Sequence, residues 1–411
     1  MNFVSKSRRI LGKSFFRRWN HGFEKGSTNM QIDAYKDHSS NQYSGHMGCV
    51  DMLQDSIDRL AKRIEMEGKN SQEFPRMRHI ADLGSADGSN SMKTLQLAVS
   101  ALRRSAAAAT APLHITFEEH PDSDEEGLRK VLESNSNWFV KHNLTYSVLM
   151  KSFYEPLFEP ESLDMIMCYI CLHWLDTSDA QGPGGISAWK SLHLGKKESL
   201  AMNENAHGSL SDFTFVNETT APKPLQEIWR ADFAKVHLAK FFALRARELK
   251  PGAEAVLLMV GLGDGFTLPS KGGPSPLTLA MQRCVNRGLL REKVIQRTII
   301  PYFLRNVDDV KEALDFCGTI EIDNTNPGSL LELVDVRSYP AKVGGGEETL
   351  DGTFEMFWAI HSGAVKSAGP TEVELECLRK ETRRVFDDIY EPQDVRLTFV
   401  ACVVRRRTKT R

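Results

Sequence analysis

No stretch of the 411 residues stays apolar for long enough to cross a bilayer, so no membrane-spanning helix is expected. An excess of one charge is missing too. The 52 basic and 54 acidic side chains nearly cancel, leaving a net charge of -2 and no electrostatic case for nucleic acid as the main partner. Cysteine is scarce and irregular: 7 residues, an odd number, make no disulfide framework. Cys168-Tyr169-Ile170-Cys171 is formally a CxxC, but it lies in an apolar run with no second pair to complete a zinc site. Buried thiols in a reducing compartment are the expectation. What remains, 41% hydrophobic and 26% charged, is an ordinary globular composition on a chain long enough to exceed one typical domain.

The most informative stretch is His79-Ile80-Ala81-Asp82-Leu83-Gly84-Ser85-Ala86-Asp87-Gly88-Ser89-Asn90-Ser91. A short apolar run ends in a carboxylate, turns on glycine and opens a helix with small polar residues, as a parallel strand does where it meets a cofactor. The spacing Gly84-x-x-x-Gly88 is not the GxGxxG of dinucleotide folds, which disfavours a nicotinamide oxidoreductase. No Lys-Ser or Lys-Thr pair follows Gly88, which disfavours a phosphate-cradling P-loop as well. A cofactor without phosphates suits such a loop. Taken alone, the same residues also suit a plain strand-to-helix turn. The D-L-G-x-x-x-G pattern resembles that of S-adenosylmethionine-dependent methyltransferases.

Around this turn, strand and helix signals alternate, the pattern of an α/β fold. Strands are expected at Ile80–Leu83, Leu113–Phe117, Leu144–Met150, Leu163–Cys168, Ala255–Gly261 and Val395–Val404. Helices are expected after Gly88, over Leu225–Leu249 with Pro251-Gly252 as its stop, and at 277–292, 306–317, 350–366 and 370–390. The fold class is therefore α/β, and the resemblance of the glycine turn implies a Rossmann-like methyltransferase sheet with helices on both faces and an α-helical cap. Residues 29–268 with 393–405 form the core, and 269–392 form a mainly helical cap over the substrate pocket. Residues 176–222, polar and glycine-containing, read either as a lid or as an insertion. Residues 1–28 are a basic extension: Lys6, Arg8, Arg9, Lys13, Arg17 and Arg18 interleave with apolar residues, without an acid before Glu24. That pattern fits a mitochondrial or plastid transit peptide, or a solvated extension of a cytoplasmic protein.

Five segments then occur in order. They are Tyr35-Lys36-Asp37-His38-Ser39-Ser40-Asn41-Gln42; the glycine turn with Asp82, Gly84 and Asn90; Phe117-Glu118-Glu119-His120-Pro121; Ser152-Phe153-Tyr154-Glu155-Pro156-Leu157-Phe158; and Cys168-Tyr169-Ile170-Cys171-Leu172-His173-Trp174-Leu175. From about Tyr35 to Val404 the chain resembles the SABATH methyltransferases, which include salicylate, jasmonate and benzoate carboxyl methyltransferases and the caffeine-pathway N-methyltransferases. The resemblance implies S-adenosylmethionine as cofactor. Ser39 would bind its methionine carboxylate with Tyr35 beside it, and Asp82, Gly84 and Asn90 would occupy further cofactor positions. Glu119 would take the ribose hydroxyls in place of the usual aspartate, with His120 in place of leucine beside the adenine. Ser152, Phe153 and Cys168 complete the implied cofactor set.

On the acceptor side the resemblance assigns Gln42 and the indole N–H of Trp174 to the two oxygens of a substrate carboxylate. His173 would orient the acceptor and Tyr169 would flank the pocket. The sulfonium methyl is already activated and a carboxylate is already ionised at neutral pH, so proximity and orientation replace a general base. Many family members place a tryptophan over an aromatic acceptor just before Leu-Ala-Met; here Leu279-Ala280-Met281 is present, but the aligned position is about Pro276. No metal ligand set is apparent. The expected partners are a small-molecule carboxylic acid and, for assembly, a second copy in a homodimer, without nucleic acid or membrane. The alternatives are an N-methyltransferase acting on a purine-like heterocycle and a non-catalytic S-adenosylmethionine-binding protein.

Overall fold

The computed structural model describes residues 40–70, 76–106, 108–175, 229–262, 275–298, 300, 303–342, 350–389 and 396–408. The basic extension, Tyr35, Ser39 and the 176–222 stretch lie outside the described residues. Among the described residues, seven strands form one sheet: β1 (Arg78–Leu83), β2 (Leu113–Glu119), β3 (Leu144–Met150), β4 (Leu163–Tyr169), β5 (Leu249–Val260), β6 (Leu331–Lys342) and β7 (Arg396–Arg406). Their order is β3-β2-β1-β4-β5-β7-β6. The first five run parallel, and β7 lies antiparallel between β5 and β6.

β4 is buried along its whole length and β1 nearly so, as central parallel strands covered on both faces must be. Alternate side chains feed two cores. Ile80, Met165, Met167 and Val256 join one apolar cluster, while Ala81, Ile166, Cys168 and Leu257 join the other. The first cluster is closed by α2 (Val50–Asn70) and α3 (Ser89–Arg103). On α2, Met52, Leu53, Ile57, Leu60 and Ile64 recur at helical spacing and are buried. The second cluster is covered by α6 (Lys235–Glu248), through Phe241 and Phe242, and by α9 (Val307–Cys317), through Val310 and Ala313. Helices therefore cover both faces of a Rossmann-like sheet. Short helices α1 (Ser40–Gly48), α4 (Glu125–Ser134) and α5 (Ser136–Lys141) fall between these elements. Later come α7 (Pro276–Asn286), α8 (Glu292–Arg297), α10 (Leu350–Ser367) and α11 (Glu372–Ile389), and α7 packs on α11.

From β1 the chain moves outward to β2 and β3, then crosses back over β1 to β4 and β5. The direction of winding reverses between β1 and β4. At such a switch point the loops leaving neighbouring strands diverge and open a crevice at the carboxyl edge. The glycine turn leaves β1 on one side of that crevice, and Ile170–Trp174 leaves β4 on the other.

Three elements depart from the sequence expectations. The helix expected to reach Leu249 ends at Glu248, and β5 begins at once. Pro251-Gly252 thus does not stop a helix but sits inside β5, where the register with β4 slips and Gly252 takes φ +77°. A bulge tolerates both the missing proline N–H and the left-handed glycine. The helix expected over 277–292 is two helices, because Gly288 at φ +68° lets the Leu289 N–H donate back to the Cys284 carbonyl (2.9 Å) and closes α7. Finally β6, for which no strand was expected, forms the antiparallel edge of the sheet. Its Tyr339 hydroxyl donates to the Gly45 carbonyl (2.6 Å) and so pins α1.

Candidate active site

Gly84 leaves β1 at φ +74°, and a Cβ there would lie 2.5 Å from Cys171 Sγ, so both conformation and space require glycine. Its N–H donates to the Glu118 carbonyl (3.0 Å) and to Glu118 Oε2 (3.0 Å), tying the turn to β2. The Ala86 N–H donates to Glu119 Oε2, and Ser85 Oγ donates to Asp82 Oδ2 (3.2 Å). Asp87 steadies the start of α3, accepting from the Ser89 N–H (3.0 Å) and Ser89 Oγ (2.9 Å). These bonds hold open a recess of roughly 380 Å3, part of it solvent, between this turn, α1 and the end of β4. Its lining includes Asp82, Ser85, Asn90, His46 and Tyr169. No lysine or arginine lines it among the described residues. Carboxylates, hydroxyls and neutral acceptors suit a cationic, phosphate-free ligand such as a sulfonium nucleoside, and S-adenosylmethionine fits that description.

Burial dominates the electrostatics. It raises Asp82 to about 6; the neighbouring Glu119 adds to the rise, and hydrogen bonds from Ser91 and Ser85 oppose it. Glu118, fully buried, is pushed well above the carboxylate range by desolvation and then by Glu119. Burial also lifts the Tyr169 phenol further above its ordinary value, so its O–H stays intact and available as a donor. Its hydroxyl is buried and has no hydrogen-bond partner among the described residues. His173 falls to about 3 through burial, with Arg305 and His361 contributing, and is neutral at physiological pH.

The loop after β4 is held by its backbone. Ile170 sits at φ +57° with its N–H donating to the Leu258 carbonyl (2.6 Å). Three successive carbonyls then each accept a bond, two from the segment before α9 and one from the segment after β3. Leu172 accepts from Arg305 Nη1 (2.6 Å), His173 from the Phe303 N–H (2.8 Å), and Trp174 from the Tyr154 hydroxyl (2.7 Å). The His173 and Trp174 rings lie 5.4 Å apart.

Of the residues singled out in the sequence, Asp82, Gly84, Asn90 and Tyr169 share the recess. Glu119 stands at the end of β2, also accepting from the His120 N–H (2.9 Å) and Ser123 Oγ (3.0 Å). His120 turns toward Asp122, whose N–H donates to its Nδ1 (3.2 Å). Ser152 and Phe153 follow β3 beside Glu119, whose carbonyl accepts from the Lys151 N–H (2.9 Å). Cys168 is fully buried inside β4 with its Sγ 3.2 Å from that of Cys171, and both thiols are free. Gln42 lies on α1, one turn before His46. Tyr35 and Ser39 precede the described residues. Among the described residues, no group of three or more His, Cys, Asp or Glu side chains gathers as a metal site. Sequence reasoning passed over two residues, His46 and Arg305. The spacing of His46 from Gln42 was a usable signal, whereas nothing local distinguishes Arg305.

Residues 26–332 match the family model described as SAM dependent carboxyl methyltransferase. Loganic acid O-methyltransferase of Catharanthus roseus is 23% identical over 78% of this chain and 84% of its own length. Gibberellic acid methyltransferase 1 of Arabidopsis thaliana is 26% identical over 60% of this chain and 63% of its own. The solved structure of a loganic acid methyltransferase with SAH superposes with a TM-score of 0.67 at 17% identity, covering 91% of this chain and 96% of that one. At that identity the superposition shows the shared fold, while the family match covers well over half of the chain. The chain belongs to the SABATH family of S-adenosylmethionine-dependent carboxyl methyltransferases, enzymes built on a Rossmann-like sheet.

Proposed function

We propose that this enzyme converts a small, non-aromatic organic acid into its methyl ester by in-line transfer without a general base. The observation that carries this reading is the Tyr169 hydroxyl, a buried donor lacking a partner among the described residues, in the strand that delivers His173 and Trp174. When bound, the cofactor supplies a methyl group already activated on a sulfonium. Asp82, Gly84 and Asn90 hold its amino-acid end, Glu119 accepts from the ribose hydroxyls, and His120, Ser152 and Phe153 form the surroundings of the adenine, while Cys168, fully buried in β4, acts behind the glycine turn through its contact with Cys171. Ser39, with Tyr35 beside it, would bind the methionine carboxylate; both lie outside the described residues. Gln42 and Trp174 each donate to one acceptor oxygen, and the Tyr169 O–H adds a third neutral donor. Neutral donors orient a carboxylate without extracting a proton from anything, which matches an acceptor that is already ionised.

His173 orients the acceptor as a neutral imidazole, since burial holds its pKa near about 3. Pro276 starts α7 and is buried there, so no aromatic ring from this position covers the acceptor. Loganic and gibberellic acids, named for the two relatives, are the first acids to try. Replacing Gln42 with alanine tests the assignment. We expect KM for the acid to rise by about tenfold or more while the Kd for S-adenosylhomocysteine changes by less than about threefold, on the scale of one charge-assisted hydrogen bond. Equal loss of both would remove Gln42 from the acceptor site.

A further inference from the structure

We propose that His46 is a cofactor-binding residue whose Nε2 accepts a hydrogen bond from the α-ammonium of the methionine moiety. His46 is 8% exposed, and its ring packs on Tyr169 with centroids 4.6 Å apart, at the wall of the recess that also holds Asp82 and Asn90. Its Nδ1 lies 2.7 Å from Thr94 Oγ1. That hydroxyl donates its own proton to the Asn90 carbonyl (3.2 Å), one turn back along α3. With that proton on the Asn90 carbonyl, Thr94 accepts from the imidazole; we take this tautomer, with the proton on Nδ1 and a lone pair on Nε2. Burial, with Lys93 nearby, lowers the His46 pKa to about 3, so the ring stays neutral at physiological pH. No partner for Nε2 exists among the described residues.

A neutral acceptor lining the recess is matched by a donor on the ligand. An ionised acid offers none at its carboxylate. Within the cofactor the donors are the ribose hydroxyls, the adenine amine and the α-ammonium. Glu119 and Ser152 lie toward β2 and β3, on the side read as taking ribose and adenine, whereas His46 lies across Tyr169 on the β4 side. The ammonium is the donor left over, and it faces Asp82 from the same wall. This assignment rests on reading the recess as the seat of the cofactor's amino-acid end.

The test compares S-adenosylhomocysteine with its deamino analogue, S-adenosyl-4-thiobutyrate, by titration calorimetry. Wild type should prefer the amine-bearing ligand by about tenfold or more, the size of one hydrogen bond to a charged group. In His46→Phe that preference should fall by about threefold or more, with Asp82 retaining the rest, through weaker binding of S-adenosylhomocysteine alone. Thr94→Val keeps the ring and nearly the volume but frees the Nδ1 proton to move to Nε2, so it should shrink the preference as well. Thr94→Val alone decides the matter if the phenylalanine variant fails to fold. An undiminished preference in the variants, or equal loss of both ligands, overturns the assignment, as does a wild type indifferent to the amine. A wild type that binds neither ligand would sink the cofactor-site reading itself.

Discussion

Glu118 and Asp82 show how little a charged letter says about its charge. Glu118-Glu119 in isolation reads as a solvated pair, yet β2, covered on both faces, buries the first completely and leaves the second at the end of the strand beside the turn. Asp82, buried at the end of β1, is raised to about 6. Its folded pKa lies above the unfolded value of roughly 3.9, so the folded state binds the proton more tightly. The contribution of this group to stability is fully present below about pH 4 and is lost as pH rises through about 6. Binding of the α-ammonium of the cofactor's amino-acid end favours the ionised carboxylate. The affinity for S-adenosylhomocysteine should therefore weaken as pH falls below about 6, by up to tenfold per pH unit, and Asp82→Asn should flatten both the affinity and the stability profiles. Calorimetry and thermal melts between pH 5 and pH 8 check this; a wild-type affinity that strengthens on acidification contradicts it. The turn was legible because Asp82, Gly84 and Asn90 are neighbours in sequence. His46 was not, because its meaning comes from Thr94 in α3, 48 residues away, and from Tyr169 in β4.

At the level of elements, the acceptor side depends on parts far apart in the chain. Arg305 is 1% exposed and donates to the Leu172 and Ala234 (2.9 Å) carbonyls, tying the loop after β4 to the turn that opens α6. In Arg305→Met both carbonyls lose a donor inside the core, at about 1–3 kcal/mol each. The melting temperature should fall, and KM for the acid should rise more than the Kd for S-adenosylhomocysteine, because the loop carries His173 and Trp174 rather than the glycine turn. Thermal melts and steady-state kinetics check both; unchanged acid kinetics would leave Arg305 a purely structural residue. The strands from β1 to β4 were legible as short apolar runs. The beginning of β5 was hidden because Pro251-Gly252, a helix stop in sequence, is accommodated in a bulge. β6 was hidden because Leu331–Lys342 is an edge strand carrying Glu332, Asp335 and Arg337, and only its pairing with β7 makes it a strand.

At the scale of the molecule, 17% identity with a solved loganic acid methyltransferase accompanies a TM-score of 0.67, so the fold is shared while most side chains differ. Physics explains which features survive. Strand order and a glycine turn at φ +74° are fixed by backbone geometry, and many apolar sequences satisfy them. The acceptor pocket has no such constraint, which is why the particular acid is not written in any motif. The central claim is chemical: the methyl group goes to a carboxylate oxygen. Incubating the protein with methyl-labelled S-adenosylmethionine and a panel of carboxylic acids and xanthines, then identifying products by mass spectrometry, tests it most directly. The account predicts label in a methyl ester, released by mild alkali; label on a ring nitrogen, stable to alkali, or cofactor binding without any labelled product would contradict it.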